Sequence, residues 1–293
     1  MIHLGIIGYP LAHSLSPRLQ AAALRELKLE GDYTLFPIPP PLEGSQSFRE
    51  LFRKLRNGEL LGLNVTIPHK QSVIPFLDEL TPVARAVGAV NTIFHQQNSL
   101  VGDNTDAPGF SADLEQVLLS VENKRSGVRE RIPSHALMLG AGGGARAVAY
   151  ALDRSGWQIT IAARRPEQAE ELIKSMQFIS AFNQKIVVVN LNKSSINDMG
   201  SEIHLIVNTT PLGMTPNVDA SPWPNGSAFP KRALVYDLVY NPPETTLIRA
   251  AKAAGLTTTN GLGMLVEQAA LSFERWIGQP APRQVMREVA AVF

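Results

Sequence analysis

ALMLGAGGGA, residues 136–145, runs from a short apolar stretch straight into a glycine-rich turn. Leu137, Met138 and Leu139 have the length and apolarity of a buried strand. Helical spacing follows at once, in Ala147, Val148, Ala151 and Leu152. Strand, glycine turn and helix in that order are the context that a dinucleotide fingerprint requires. Gly140 permits the tight turn, Gly142 lets backbone approach a pyrophosphate, and Ala145 lies where helix and strand pack closely. Ala141, Gly143 and Gly144 complete the loop, and the N–H groups of the helix start would hold the phosphates.

Downstream, strands are expected at Gln158–Ala162, Ile186–Val189, His204–Asn208, Ala233–Leu238 and near Leu256–Thr259. Helices are expected at Pro166–Ser175 and Glu244–Ala254, so this half reads as a doubly wound, Rossmann-type domain. An acidic residue about 20 residues beyond the glycines would select NAD by accepting the ribose 2′-OH. Here the second strand ends in Ala162-Ala163-Arg164-Arg165, with no carboxylate. Arg164 and Arg165 suit a 2′-phosphate, which guanidinium forks bind through charge-assisted bonds, and NADP is the expected cofactor.

The first hundred residues also alternate between strand and helix patterns. Strands are expected at Leu4–Gly8, Tyr33–Ile38 and Leu60–Ile67, with a strand pair at Ala89–Phe94 and Ser99–Val101. Ser16 before Pro17 reads as the cap and first residue of a helix. Phe48, Leu51, Phe52 and Leu55 follow helical spacing, Val73–Leu77 reads as a short helix, and Thr81-Pro82 opens another. Asp106-Ala107-Pro108 opens a further helix. Glu122–Pro133 is charged and aperiodic and reads as an exposed connection. Two helices, Met264–Ile277 and Pro282–Val292, close the chain. Polar side chains gather at strand ends and loops of this half: Ser14, Ser16, Asn64, Thr66, Lys70, Asn91 and Asp106. Each has an ordinary explanation as a cap, a turn or a solvated group.

The bulk properties exclude more than they assign. The 293 residues suit about two domains, and 44% hydrophobic against 18% charged residues is an ordinary globular balance. A net charge of +1 gives no reason to expect nucleic acid as a partner. There is no cysteine, so disulfides and thiolate metal sites are absent, and no cluster with metal-ligand spacing stands out. No apolar run is long enough for a membrane span, and no signal peptide is apparent. A cytoplasmic protein is expected. No long heptad marks a coiled coil, which leaves a homodimer open.

Eight stretches taken together resemble the shikimate dehydrogenase family. They are GYPLAHSLSP (8–17), LNVTIPHK (63–70), GAVNTI (88–93), DNTDAPGF (103–110), LGAGGGARA (139–147), NTTPLGM (208–214), YDLVY (236–240) and NGLGMLVEQA (260–269). They run in order through almost the whole chain. The resemblance implies reversible reduction of 3-dehydroshikimate to shikimate with NADPH, in the biosynthesis of chorismate and the aromatic amino acids. It implies an N-terminal α/β substrate domain, 1–106 with 262–293, a Rossmann domain, 107–261, and a cleft between them. Ser14 and Ser16 resemble the hydroxyls that hold the substrate carboxylate. Thr66, Asn91, Asp106, Lys70 and Gln268 would contact the ring hydroxyls, and Tyr240 would add a further contact. Leu238 and Gly261 fall where the family approaches the nicotinamide, and Asn208 and Thr209 resemble cofactor neighbours. Two departures stand out. Ala107-Pro108 follows the aspartate where the family usually has glycine, and Ala163-Arg164-Arg165 replaces an Asn-Arg-Thr or Asn-Arg-Ser pattern.

The resemblance makes Lys70 and Asp106 the chemical pair. A lysine is charged at neutral pH and can donate a proton to a developing alkoxide, while a carboxylate fixes the ammonium in place. Two other functions fit the same residues less well. A quinate/shikimate dehydrogenase using NAD would have less use for Arg164, and a non-catalytic NADP-binding regulator would have no need of Lys70 with Asp106.

Overall fold

In the computed structural model, which describes residues 1–42, 44–122, 135–177, 186–199 and 202–292, the chain forms two compact units. They are Met1–Gly109 with Leu265–Phe293, and Phe110–Met264. No helix among the described residues is long and apolar enough to cross a membrane.

The first unit is built on β1 (Ile2–Gly8), α1 (Ser16–Glu26), β2 (Gly31–Pro37), α2 (Gln46–Arg56) and β3 (Gly62–Val65), followed by β4 (Glu79–Leu80), α3 (Pro82–Val87), β5 (Thr92–Gln96) and β6 (Ser99–Asp103). A single 3₁₀ turn, Ile74–Phe76, stands where a short helix is expected. The strands form one mixed sheet in the order β2-β1-β3-β5-β6-β4. β1 is parallel to β2 and β3, whereas β5 is antiparallel to both β3 and β6. The β5–β6 hairpin turns at Gln97, which takes φ +55°. Leu63, Val65, Ile93 and Leu100 join Phe48, Leu51, Phe52 and Leu55 of α2 in one buried cluster, so the helical stripe of α2 faces the sheet.

α4 (Asp106–Glu122) begins in this unit and continues into the second. There the strands are β7 (His135–Leu139), β8 (Gln158–Ala163), β9 (Val187–Asn190), β10 (Leu205–Asn208), β11 (Leu234–Asp237) and β12 (Thr257–Asn260). They alternate with α5 (Gly143–Arg154), α6 (Pro166–Gln177), α7 (Lys193–Asp198) and α8 (Thr246–Ala253). All pairings are parallel, in the order β12-β11-β10-β7-β8-β9. Counted from the first strand of this unit, that is the Rossmann order, whose direction reverses between β7 and β10. α9 (Leu262–Ile277) returns the chain to the first unit, where α10 (Arg283–Ala291) packs on α1.

Some expectations need revision. Ser16 does not cap α1. Leu15 occupies the cap position without a side-chain bond, and Ser16 is already helical, its N–H 3.4 Å from the Ser14 hydroxyl. The third strand is shorter than Leu60–Ile67, because residues 66–70 fold into a turn closed by the bond from His69 N to Thr66 O. β4 and α7, two and six residues long, have too little pattern to be read. The expected connection at 122–133 falls, beyond Glu122, outside the described residues.

α9 is anchored by Trp276. Its indole N–H donates to Ile93 O at 2.9 Å, and its ring lies against Gly62, where a Cβ would collide with it. Gly62→Ala is therefore expected to destabilise the protein by ~1–3 kcal/mol, the usual penalty of overpacking. A lower midpoint in urea unfolding at an unchanged slope would show it.

Candidate active site

The direction of the strands collects the polar residues of the first unit. β1, β3 and β6 all end on the edge of the sheet where β5 begins. Ser14, on the loop after β1, and Ser16, the first residue of α1, follow β1; Thr66 and Lys70 follow β3, Asp106 follows β6, and Asn91 immediately precedes β5. Ligand sites of α/β sheets form beyond such strand ends.

Lys70 and Asp106, distant in sequence, meet there. The ammonium donates to Asp106 Oδ2 at 2.6 Å, and the side chains retain only 20% and 10% of their exposure. Each partner is fixed from behind. The Lys70 carbonyl accepts from Val90 N at 2.7 Å, and the buried ring of neighbouring His69 bonds Ile38 O through Nε2 at 2.6 Å. Asp106 stands in the first turn of α4, where the helix end favours an anion. Asn104, rather than Asp106, caps that helix, through Oδ1 to Ala107 N at 3.1 Å.

Asn91 joins the pair to the rest of the unit. Its buried amide donates to Asp106 Oδ1 at 2.9 Å, to Thr105 Oγ1 at 2.8 Å and, more weakly, to Gln268 Oε1 at 3.4 Å. Its Oδ1 accepts from Thr105 N at 2.7 Å. A second tier lies behind it. Asn64 Nδ2 donates to Asn91 O at 3.1 Å and to Ser272 Oγ at 3.0 Å, and the Thr92 and Ser272 hydroxyls lie 2.7 Å apart. Thr105 Oγ1 donates to Gln268 O at 3.0 Å. Tyr33, from β2, donates to Asn64 Oδ1 at 2.7 Å.

Of the expected residues, Lys70, Asp106, Asn91 and Gln268 thus form one bonded cluster. Thr66, half-buried, and Ser14 share the sheet edge without a side-chain bond to that cluster. Ser16 approaches it through the Tyr33 phenol, which faces the Ser16 hydroxyl and whose ionisation is pushed far up by burial. Thr105, Ser272, Tyr33 and His69 did not stand out in the sequence. Their importance arises from pairing across long separations, and only the fall of Ser272 four residues after Gln268, on the same helical face, offered a hint.

The second unit presents its own edge. The glycine loop follows β7, Arg164 and Arg165 follow β8, Asn208 ends β10 and Thr209 follows it, Leu238 and Tyr240 follow β11, and Gly261 follows β12. Gly140 adopts φ +97°, and a Cβ there would lie 2.5 Å from Thr210. The Thr209 hydroxyl donates to Leu139 O at 2.9 Å and to Gly140 O at 3.1 Å, pinning the turn. Asn208 is wholly buried and spent internally. Its amide donates to Asp237 Oδ1 at 2.8 Å and to Leu212 O, while its carbonyl accepts from Thr210. Burial pushes the Asp237 carboxyl and the Tyr240 phenol up. Gly261 abuts the Leu238 carbonyl, so no side chain would fit at 261.

The loop fits a dinucleotide. Gly142 precedes α5 without a side-chain cap bond. A Cβ on Gly143 would meet nothing within 4 Å, and one on Gly142 only Thr209 O at 3.8 Å. Backbone with that much open space beside uncapped helical N–H groups is what a pyrophosphate needs. Arg164 and Arg165 are both exposed, available to a further phosphate.

Two family profiles match the chain: "Shikimate dehydrogenase substrate binding domain" at residues 6–93 and "Shikimate 5'-dehydrogenase C-terminal domain" at 261–291. A shikimate dehydrogenase (NADP(+)) of Carboxydothermus hydrogenoformans is 40% identical over 285 residues, 97% of this chain and 94% of that protein. This chain belongs to the shikimate dehydrogenase family. The Thermus thermophilus family member, solved in complex with NADP(H) and shikimate, is 34% identical with a TM-score of 0.80, covering 100% of this chain and 99% of that one. A quinate dehydrogenase of Corynebacterium glutamicum, solved with NAD, is 30% identical with a TM-score of 0.84, covering 100% and 99%. The shared architecture thus spans more than one substrate among these dehydrogenases.

Asn91→Ala is expected to lower stability by ~1–3 kcal/mol, because it strands buried partners that cannot reach water. Urea unfolding of the variant beside the wild type measures it.

Proposed function

We propose that this chain is an NADP-dependent shikimate dehydrogenase, reducing 3-dehydroshikimate reversibly to shikimate in chorismate and aromatic amino-acid biosynthesis. The observation that carries the reading is the Lys70–Asp106 pair, 2.6 Å apart and largely withdrawn from solvent, within a ring of neutral hydrogen-bonding groups. Such a site suits a small polyol bearing one ketone. In this reading the first unit takes substrate and the second takes cofactor.

Ketone reduction adds hydride to carbon and a proton to oxygen. NADPH, when bound, supplies the hydride. Lys70 donates the proton to the developing alkoxide through Nζ and recovers it in the reverse direction. Asp106 holds the ammonium in place and accepts from a ring hydroxyl through its remaining lone pairs. Asn91, Gln268 and Thr66 complete the contacts to the ring, Ser14 and Ser16 receive the carboxylate, and Tyr240 is a further substrate contact. Orientation of the reacting carbon supplies much of the rate. Gly140 through Ala145 would hold the pyrophosphate, Arg164 and Arg165 the 2′-phosphate, and Leu238 and Gly261 the backbone approach to the nicotinamide. Asn208 acts through Thr209 and Thr210, whose loop it fixes. A cytoplasmic location and a homodimer accompany this reading and are checked by fractionation and by sedimentation.

Shikimate-dependent formation of NADPH, followed by absorbance, tests the activity directly, and its absence in the folded protein would overturn the assignment. Lys70→Ala is expected to lower kcat by about 10²–10⁴-fold, the usual share of general acid–base catalysis, with KM for shikimate near that of the wild type. Arg164→Ala is expected to weaken NADPH binding far more than NADH binding, measured by titration of the two nucleotides, since only one of them carries the 2′-phosphate.

A further inference from the structure

Tyr33 occupies an edge strand and belongs to none of the stretches that mark the family in this sequence. Its hydroxyl nevertheless begins an unbroken line of hydrogen bonds. Tyr33 Oη donates to Asn64 Oδ1 at 2.7 Å, and Asn64 Nδ2 donates to Asn91 O at 3.1 Å. Asn91 Nδ2 donates to Asp106 Oδ1 at 2.9 Å, and Asp106 Oδ2 receives Lys70 Nζ at 2.6 Å. We propose that Tyr33 is a positioning residue for the Lys70–Asp106 pair, acting through the orientation of the Asn64 amide. This rests on the dehydrogenase reading given above.

The logic is that of a buried amide with two unlike ends. Asn64 has acceptors on one side: Asn91 O, Ser272 Oγ and Thr92 Oγ1. On its other side stands the Tyr33 phenol, which burial keeps protonated and therefore able to donate. That donor selects the orientation in which Oδ1 faces Tyr33 and the NH₂ faces Asn91. Without it, Oδ1 is a buried acceptor with no donor, and the amide loses the preference that sends its N–H to the Asn91 carbonyl. Asn91 is the residue whose side chain holds Asp106, so slack in its backbone is slack in the carboxylate.

Tyr33 is itself held. Its ring packs on Trp276, centroids 6.5 Å apart, and Trp276 is bonded to Ile93 O. The Ser16 hydroxyl faces the same phenol oxygen, so the residue lies beside the Ser14–Ser16 segment and also heads the line of bonds to the pair that moves the proton. The route through Asn64 is the one in which all the bonds are well formed.

Tyr33→Phe removes one oxygen and keeps the ring on Trp276. Steady-state kinetics with shikimate and NADP should show kcat about tenfold lower, the rate equivalent of about one neutral hydrogen bond, with KM for NADP unchanged. The decisive comparison is a double-mutant cycle with Asn64→Ala, or Asn64→Ser should the alanine variant melt below the assay temperature. If Tyr33 acts through Asn64, Tyr33→Phe costs nothing further once Asn64 is gone. A Tyr33→Phe enzyme with wild-type kcat overturns the proposal, and so does a kcat loss that adds in full to that of the Asn64 variant. A lower melting temperature with unchanged kcat overturns it as well, since that is the signature of a purely structural tyrosine. A wild-type protein that leaves shikimate and NADP unreacted is a different result, because it removes the dehydrogenase reading and takes the proposal with it.

Discussion

An ammonium and a carboxylate largely withdrawn from water are tolerable only while every remaining lone pair and proton is matched. Desolvation costs several kcal/mol per ion, and their mutual attraction offsets it only with good geometry and further hydrogen bonds. The first unit answers that constraint with neutral groups. Asn91 supplies the second bond to Asp106, and the two faces of its own amide are then satisfied by Thr105 and Thr92. The partners come from β3, β5, the loop after β6 and α9. The sheet register and the return of the C-terminal helix are thereby conditions for the charge pair.

The same requirement explains why Asp103, three residues before Asp106, serves another purpose. It is buried, accepts from Thr81 Oγ1 at 2.5 Å and Asn104 N at 2.8 Å, and meets Arg275 of α9 at 2.8 Å. One carboxylate of the DNTD stretch ties the loop to its neighbours and the other is left facing Lys70. Sequence proximity does not distinguish their roles, whereas their partners do.

What could be read beforehand divides along physical lines. Long periodic segments and glycine-punctuated strand ends were legible, because burial writes itself into residue spacing. The glycine loop, Lys70 and Asp106 belong to that class, since each sits at the end of a recognisable strand. The start of α1 differs from the Ser-Pro signal by one residue, because the Ser16 side chain makes no cap bond and Ser16 itself is helical. The two-residue β4 has no period to detect. Thr105, Ser272 and Tyr33 are ordinary polar residues until the fold sets them against partners far away in sequence. Asn208 shows the reverse, a residue prominent in a motif whose side chain is entirely occupied by Asp237, Leu212 and Thr210.

Trp276 has a consequence of a different kind. The chain carries three tryptophans, and Trp157 and Trp223 both belong to the second unit. The indole of Trp276 is nearly buried, tilted against the Tyr33 ring and hydrogen-bonded to the carbonyl of Ile93, close behind the polar cluster. Its emission is an intrinsic optical reporter for that part of the molecule. With the other two indoles replaced by phenylalanine, fluorescence would follow the first unit alone, without any extrinsic label.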